Sequence, residues 1–231
     1  MFAKQKYVVL LLFFFLFLTR SFGQEETFQV TKFDETSGLQ SNAVNAMLQD
    51  SRGYLWFGTS NGLYRYDGYS FKVFRKIKGD SSSLPENTVL KISEDKDGKL
   101  WLGLTKEKVC SYDPSTGIFK NYNVNNFDTA AHVSSYICML FVDKASNIWA
   151  GLHQKGFIKL EPATGKVEHY NIISDTNTFY SNELKAIYNS VYAMSEGSDR
   201  IYWLATHDGL YKFNSVSKEI NPVRAKPLQR D

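Results

Sequence analysis

The feature that most constrains this chain is an internal period. Its four tryptophans, Trp56, Trp101, Trp149 and Trp203, stand 45, 48 and 54 residues apart in similar surroundings. A self-similarity of this length belongs to propellers and solenoids, in which each repeat is one supersecondary unit that buries its apolar face only by stacking on its neighbours. Around the first tryptophan lies Asp50-Ser-Arg-Gly53-Tyr-Leu-Trp56-Phe-Gly58-Thr59, followed by Gly62-Leu63-Tyr64-Arg65-Tyr66-Asp67. The second unit reads Asp95-Lys-Asp-Gly98-Lys-Leu-Trp101-Leu-Gly103, then Val109-Cys-Ser-Tyr112-Asp113. The third keeps Asp143, Ile148-Trp149-Ala-Gly151 and Gly156-Phe157-Ile158, with Ser146 and Asn147 where the earlier hairpins carry glycine. The fourth, Tyr202-Trp203-Leu-Ala205-Thr206 with Gly209-Leu210-Tyr211, is the most degenerate.

Within each unit, apolar and polar residues alternate on either side of glycine-bearing turns, which is the period of a strand. No stretch repeats apolar residues every three or four positions, so no helix is expected. The first unit predicts strands at 43–49, 54–59, 63–66 and 71–74. Gly53 and Gly98 supply the positive φ of tight hairpins. In Asp113-Pro-Ser-Thr-Gly117 and Glu161-Pro-Ala-Thr-Gly165, proline opens a turn and glycine closes it. The expected fold is therefore all-β: four four-stranded antiparallel propeller blades at about residues 34–74, 84–122, 134–170 and 184–222. Trp56, Trp101, Trp149 and Trp203 are expected to fill the wedge between blades as structural core, with the small residue two positions later permitting close approach.

The segment 27–33, Phe28-Gln-Val-Thr-Lys-Phe33 at its heart, resembles the strands that end each blade but has no blade of its own. Propellers close by letting such a strand complete the last blade. The fourth unit already has an outer strand near Lys218–Pro222, so five outer strands face four inner triplets. The expectation is an incomplete ring of a larger propeller, the front of a longer protein or a truncated gene product, with a compact four-bladed ring as the alternative.

The amino terminus reads as a secretory signal peptide over residues 1–23. Lys4 and Lys6 precede an apolar run from Tyr7 to Leu18, and Ser21 and Gly23 supply small residues for cleavage near Gly23. The competing reading, a membrane anchor, needs roughly 20 apolar residues. Residues 24–231 are then a propeller segment beyond the inner membrane, with no further membrane span and a periplasmic address. A formal net charge of +3, with both signs interspersed, gives no ground for a nucleic-acid partner. Cys110 and Cys138 lie in strand-like runs with no Cys-x-x-Cys pairing; two buried thiols are expected, and a disulfide, permitted by the compartment but not indicated by the spacing, is the alternative.

These motifs resemble the two-component regulator propeller repeats of the periplasmic sensor regions of hybrid histidine kinases. Gly38-Leu39-Gln-Ser-Asn42-Ala-Val44 through Asp67 follows that pattern nearly throughout, and Leu84-Pro-Glu-Asn87-Thr-Val89 through Asp113 follows it with one extra residue near Lys108. The third and fourth units match around the tryptophan. The resemblance implies a sensor whose propeller recognises an extracellular ligand, commonly an oligosaccharide, and signals to a kinase. No kinase or receiver sequence is present here, so that activity is not carried over.

The turn joining strands two and three and the residues leading into strand one emerge on one face of a blade. The candidate ligand residues are therefore Asn42, Ser60, Asn61, Asn87, Thr105, Lys106, His153, Gln154, His207 and Asp208, whose hydroxyls, amides and imidazoles suit sugars. The competing reading is that the asparagines satisfy turn backbone and the histidines are solvated. Tyr64, Tyr66, Tyr69 and Tyr122 read as blade packing before sugar platforms. His153 and His207 are equivalent but make too small a set for a metal. The aspartates six residues before each tryptophan are out of register with the Asp-box of propeller hydrolases, and no paired carboxylates suit glycoside chemistry. The chain is expected to be a sensing or binding module without catalytic residues, cofactor or metal. Its partners are an oligosaccharide and the rest of a longer sensor or another protein. An interaction scaffold is the second reading, a glycoside hydrolase the third.

Overall fold

The computed structural model describes residues 30–124, 136–173 and 181–223. The predicted signal peptide lies outside them. Two compact units divide at Lys32, and everything that follows concerns the second, which begins at Phe33.

Among the described residues, sixteen strands form four separate four-stranded sheets, each antiparallel and in simple chain order. Blade 1 comprises β1 (Val44–Gln49), β2 (Leu55–Thr59), β3 (Gly62–Tyr66) and β4 (Phe71–Phe74). Blade 2 comprises β5 (Val89–Glu94), β6 (Leu100–Leu104), β7 (Val109–Asp113) and β8 (Ile118–Tyr122). Blade 3 comprises β9 (Ile137–Val142), β10 (Ile148–Leu152), β11 (Phe157–Glu161) and β12 (Lys166–Tyr170). Blade 4 comprises β13 (Val191–Glu196), β14 (Ile201–Thr206), β15 (Gly209–Asn214) and β16 (Ile220–Pro222). The all-β expectation and the strand boundaries read from the repeat agree with this to within a residue or two.

The first strands of successive blades run side by side, β1 beside β5, β5 beside β9 and β9 beside β13, so strand one lines the inside of the arc. Among the described residues the four sheets form no closed ring. Blade 4 shows the consequence: β6 and β10 are buried along their whole length, whereas β14 is only partly so and Trp203 is half-exposed.

Three apolar clusters fill the three wedges. Trp56 and Leu63 pack on Leu100, Leu102, Tyr112 and Phe119 of blade 2. Trp101 and Val109 pack on Ile148, Leu152, Ile158 and Leu160 of blade 3. Trp149 and Phe157 pack on Val191, Tyr202, Leu204 and Phe213 of blade 4. The small residue after each tryptophan is needed for this approach. A Cβ on Gly58 would come within 2.8 Å of Val89 Cγ1, one on Gly103 within 2.6 Å of Ile137 Cγ2, and one on Gly151 within 2.1 Å of the Val191 carbonyl oxygen. The glycine thus meets the first residue of the next blade.

The expectation of no helix changes. A helix, α1 (Asn182–Tyr188), sits in the crossover to blade 4, and a 3-10 turn, Glu35–Ser37, precedes β1. Seven residues are too short to display a helical period. Local chemistry starts the helix instead, with the Ser181 hydroxyl accepting from the Leu184 amide at 3.3 Å and Glu183 in the first turn. Of the segment 27–33, residues 27–29 lie outside the described residues and 30–33 pair with no strand. Phe33 packs edge-on against Tyr66 and Phe71, at 5.0 and 5.5 Å between ring centroids, and helps cover blade 1's outward face. An aromatic ring laid on a sheet face buries apolar area that a ladder at the sheet edge would leave open.

Candidate functional site

The hairpin between strands one and two is built by aspartate. In blade 1 the Asp50 carboxylate accepts from the amides of Arg52 and Tyr54, both at 3.0 Å, while Gly53 turns the chain at φ +89°. Its second oxygen accepts the Trp56 indole N–H at 2.8 Å. Asp95 does the same for Trp101 and Asp143 for Trp149, each at 2.8 Å. The six-residue spacing noted in the sequence therefore has a geometric cause: one side chain closes the hairpin and anchors the ring that fills the wedge. Burial disfavours the ionised form of Asp50 and Asp143, but the hydrogen bonds donated to them, first from the tryptophans, outweigh it and hold both carboxyls below their ordinary range. In the fourth blade the corresponding place is Gly197, and Trp203 carries the Lys212 ammonium 4.7 Å above its ring.

The turns between strands two and three lie on the opposite rim, against the residues that lead into strand one. The Gly62 amide donates to the Asn87 carbonyl at 2.8 Å, and Gly156 repeats this with Asn189 at 2.7 Å. Ser60 donates its amide to Ala43, and the Asn61 side chain donates to Gln40 at 3.1 Å. Thr105 bridges to Tyr136, and the His153 amide donates to the Tyr136 carbonyl at 3.0 Å. Gln154, at φ +64°, donates its amide to the Ser190 hydroxyl at 2.9 Å. The His207 amide reaches the Ser190 carbonyl, and Asp208 accepts from the Tyr211 hydroxyl at 2.6 Å. The ten predicted residues thus share one rim, spread along the arc turn by turn.

Their exposure divides them. Asn42, Ser60, Asn61, Lys106, His207 and Asp208 are exposed, while Thr105, His153 and Gln154 are half-buried. Asn87 is committed to structure, its side-chain oxygen accepting from the Lys76 amide at 2.8 Å. Two aromatic residues absent from the sequence-based set sit with the histidines: Tyr136 stacks on His153 at 4.7 Å and 13°, and Tyr188 on His207 at 6.1 Å. Asn189 was also missed, although Asn42-Ala-Val44, Asn87-Thr-Val89 and Asn189-Ser-Val191 share one spacing. Charge pairs knit the same rim. Glu86 meets Lys108 at 2.6 Å and Lys76 at 3.6 Å, which lowers its carboxyl's pKa, and nearly buried Glu107 meets Lys155 at 2.7 Å.

The principal clefts lie mostly elsewhere. One of about 620 Å³ runs along Lys76–Asn121 in the crossover from blade 1, and Asn87 alone of the ten lines it. Another, of about 510 Å³, opens between blades 2 and 3 on the hairpin side. Tyr64 is buried as expected, but Tyr69 is 96% exposed and packs in no blade. Cys110 and Cys138 are both free and buried, which resolves the cysteine alternatives; burial raises both thiols, Cys138 to about 11. Among the described residues, no group of three or more His, Cys, Asp or Glu could hold a metal ion, and no helix is long and apolar enough to cross a membrane.

Comparison with known proteins bears on this architecture. Residues 38–61 and 83–106 match the family described as two component regulator propeller. "Histidine kinase P4" of Formosa agariphila is 36% identical over 74 residues, 32% of this chain and 5% of that protein. The extracellular domain of hybrid two component system BT4673 from B. thetaiotaomicron superposes with a TM-score of 0.62 at 20% identity, covering 87% of this chain and 24% of that one. That of BT3049 from the same organism gives 0.56 at 21% identity, covering 83% and 31%. The chain therefore spans less than a third of each of these relatives. The two strongest units found in the sequence, each running from the lead-in of its blade through β2 or β6 to the following turn, are two-component regulator propeller repeats.

Proposed function

We propose that this chain is a ligand-sensing propeller segment of a two-component sensor, exposed beyond the inner membrane, and that it recognises an oligosaccharide without transforming it. The observation that carries the reading is the coincidence of the regulator-propeller repeats with blades whose strand-two to strand-three turns form a continuous polar rim. On that rim, His153 on Tyr136 and His207 on Tyr188 offer two adjacent flat platforms, flanked by Gln154 and Asp208 as hydrogen-bonding groups. Aromatic faces beside amides and carboxylates are the chemistry that sugar rings select. Calorimetric titration of the full chain with a panel of oligosaccharides of varied linkage and charge tests it. Binding that is lost in a His153→Ala/His207→Ala variant supports the rim, and binding unchanged in that variant removes it.

A second reading is favoured by one observation. The Trp203 side of blade 4 is uncovered among the described residues, with Leu210 and Tyr192 43% and 46% exposed, and it has the form of the faces that blades 1 to 3 bury against a following blade. A protein partner or a further blade fits that face. Pull-down of a protein, with no response to any sugar, selects this reading over the first.

A further inference from the structure

The crossover out of blade 1 departs from the repeat. The strands that end the first three blades, β4, β8 and β12, finish at Phe74, Tyr122 and Tyr170, which pair with the equivalent residues Leu63, Val109 and Phe157. The next two residues are Asn123-Val124 after blade 2 and Asn171-Ile172 after blade 3, and Val124 and Ile172 are buried. After blade 1 they are Arg75-Lys76, with the Lys76 side chain 49% exposed. Two cations thus stand where the later blades use an amide and an apolar side chain.

Arg75 is built into the rim. Half-buried, it donates from Nε to the Asn61 carbonyl at 3.0 Å and from Nη2 to the Tyr64 hydroxyl at 3.0 Å and the Gln40 side-chain oxygen at 3.2 Å. All three acceptors are neutral, and Nη1 has no partner among the described residues. A guanidinium carries five donors in a fixed fork suited to oxyanions, so this one is held in place with its charge unmatched and donors to spare. Beside it, Lys76 and Lys108 share a single oxygen of Glu86, at 3.6 and 2.6 Å, and Lys106 acts on the same carboxyl. Glu107, in the same turn as Lys106, is committed to Lys155 of blade 3 at 2.7 Å. Lys76 and Asn87 continue into the crossover cleft of about 620 Å³. There Lys78 adds a cation, and Asp80 a carboxylate that already accepts from the Ser82 amide and hydroxyl at 2.8 and 2.6 Å. Among the described residues, five cations thus gather around two carboxylates, whereas the next wedge pairs Lys155 with Glu107 one to one. Like charges gathered at a cleft raise the local potential and concentrate anions there.

We propose that the rim between blades 1 and 2 recognises an anionic sugar, one that carries a carboxylate or a sulfate ester. This rests on the reading of the rim as the ligand face and narrows the class of ligand. The anionic group accepts from Arg75 Nη1 and is neutralised by Lys76 and Lys106, and the crossover cleft beside them takes the ring to which it is attached. A uronate and a sulfated sugar present the same chemistry, whereas a neutral sugar leaves the excess charge unmatched.

The test is an NMR titration of the full chain at fixed ionic strength with glucuronate, glucose 6-sulfate and glucose, following the backbone amides of Lys76 and Asn61. The three probes share one ring and differ in charge. The expected result is a saturable shift with at least one anionic sugar and about tenfold weaker binding of glucose. Whichever of glucuronate and glucose 6-sulfate binds more tightly identifies the anion. Arg75→Gln should weaken the anionic sugars about tenfold and leave glucose unchanged. Should that variant not fold, Lys76→Gln, altered at a half-exposed side chain, should weaken them in the same direction. Glu86→Gln removes a competing carboxylate and should tighten them. The two readings fail separately. Glucose binding as well as both anionic sugars overturns the charge preference and leaves the rim reading to its own calorimetric titration. No shift with either anionic sugar, or undiminished affinity in both Arg75→Gln and Lys76→Gln, also overturns the proposal.

Discussion

Asp143 is the residue on which the third wedge depends, and replacing it by alanine should be the most damaging of the three aspartate substitutions. Its carboxylate accepts the Trp149 indole at 2.8 Å, the Tyr202 hydroxyl of the next blade at 2.9 Å, the amides of Ala145 and Asn147 at 3.0 and 2.8 Å, and the Asn147 side chain at 2.9 Å. Trp149 is fully buried and Tyr202 nearly so, so Asp143→Ala strands two donors where water does not reach. A stranded buried group costs about 1–3 kcal/mol, and a hydrogen bond to a charged group contributes about 1.5–3 kcal/mol. The two donors together give a loss of about 3–5 kcal/mol, or a fall in melting temperature of about 10 °C for a chain of this size. Asp95 makes the corresponding contact with Trp101 but has no donor from blade 3, since Ile148 stands where Tyr202 would. Asp95→Ala should therefore cost about 1–2 kcal/mol. Urea unfolding followed by tryptophan fluorescence measures both. In a double-mutant cycle, Asp143→Ala and Tyr202→Phe should be non-additive by about 1 kcal/mol or more. Equal losses at Asp95 and Asp143, or additive losses at Asp143 and Tyr202, would refute the argument that the carboxylate joins two blades.

Ser146 occupies a left-handed position, φ +64°, where blades 1 and 2 use glycine, so Ser146→Gly should stabilise by about 0.5–1 kcal/mol in the same assay. Glu168 accepts from Lys166 at 2.8 Å, from Tyr170, and from Lys218 of blade 4 at 3.1 Å, and these contacts depress its carboxyl to about 2. A depressed carboxyl contributes stability that is fully present above its unfolded value, near 4.5, and is lost as pH falls towards about 2. Glu168→Gln should therefore lower stability at pH 7 and flatten its decline between about pH 4.5 and 2, as read from melting temperature against pH. An unchanged slope in that window would count against the latch between blades 3 and 4.

How much was legible in the sequence follows from which features repeat. The tryptophan period fixed the blade count because each ring answers to the same demand, filling a wedge above a glycine that touches the next blade, and a demand met at every repeat leaves a spaced signal. Aspartate six residues earlier was visible for the same reason, but its second role was not. A sequence shows that Asp50, Asp95 and Asp143 recur, not that one oxygen closes a hairpin while the other holds an indole. The helix Asn182–Tyr188 left no trace because two turns make no period, and the seat of Phe33 on Tyr66 and Phe71 was not legible because alternation looks alike whether it pairs at an edge or lies on a face. The rim residues were placeable because strand order alone puts those turns on one side. Their partners Tyr136 and Tyr188 were not, since they lie in crossovers that obey no repeat.

The departures from the repeat carry more information about function than the repeat does. Gly58, Gly103 and Gly151 do one job three times and identify nothing beyond a propeller. Ser111, by contrast, breaks two patterns at once. It replaces a cation that three other blades supply, and it faces a blade whose aromatic residues have been exchanged for Ile148, Leu160 and Val167. The smaller side chains close on Trp101 in one apolar cluster, as interiors that pack to nearly uniform density require. The open cleft of about 510 Å³ lined by Ser111 lies beside that cluster, on the hairpin side, and none of the three lines it. Blade 4 shows the contrary case. There Gly197 replaces the anchoring aspartate, and Lys212 still lies over Trp203, so the cation is retained where the anchor is lost. The cation and the aspartate therefore vary independently between blades: in blade 2 the aspartate is kept while the cation moves from strand three to strand four, where Lys120, paired with Ser111, lies 5.0 Å over Tyr122.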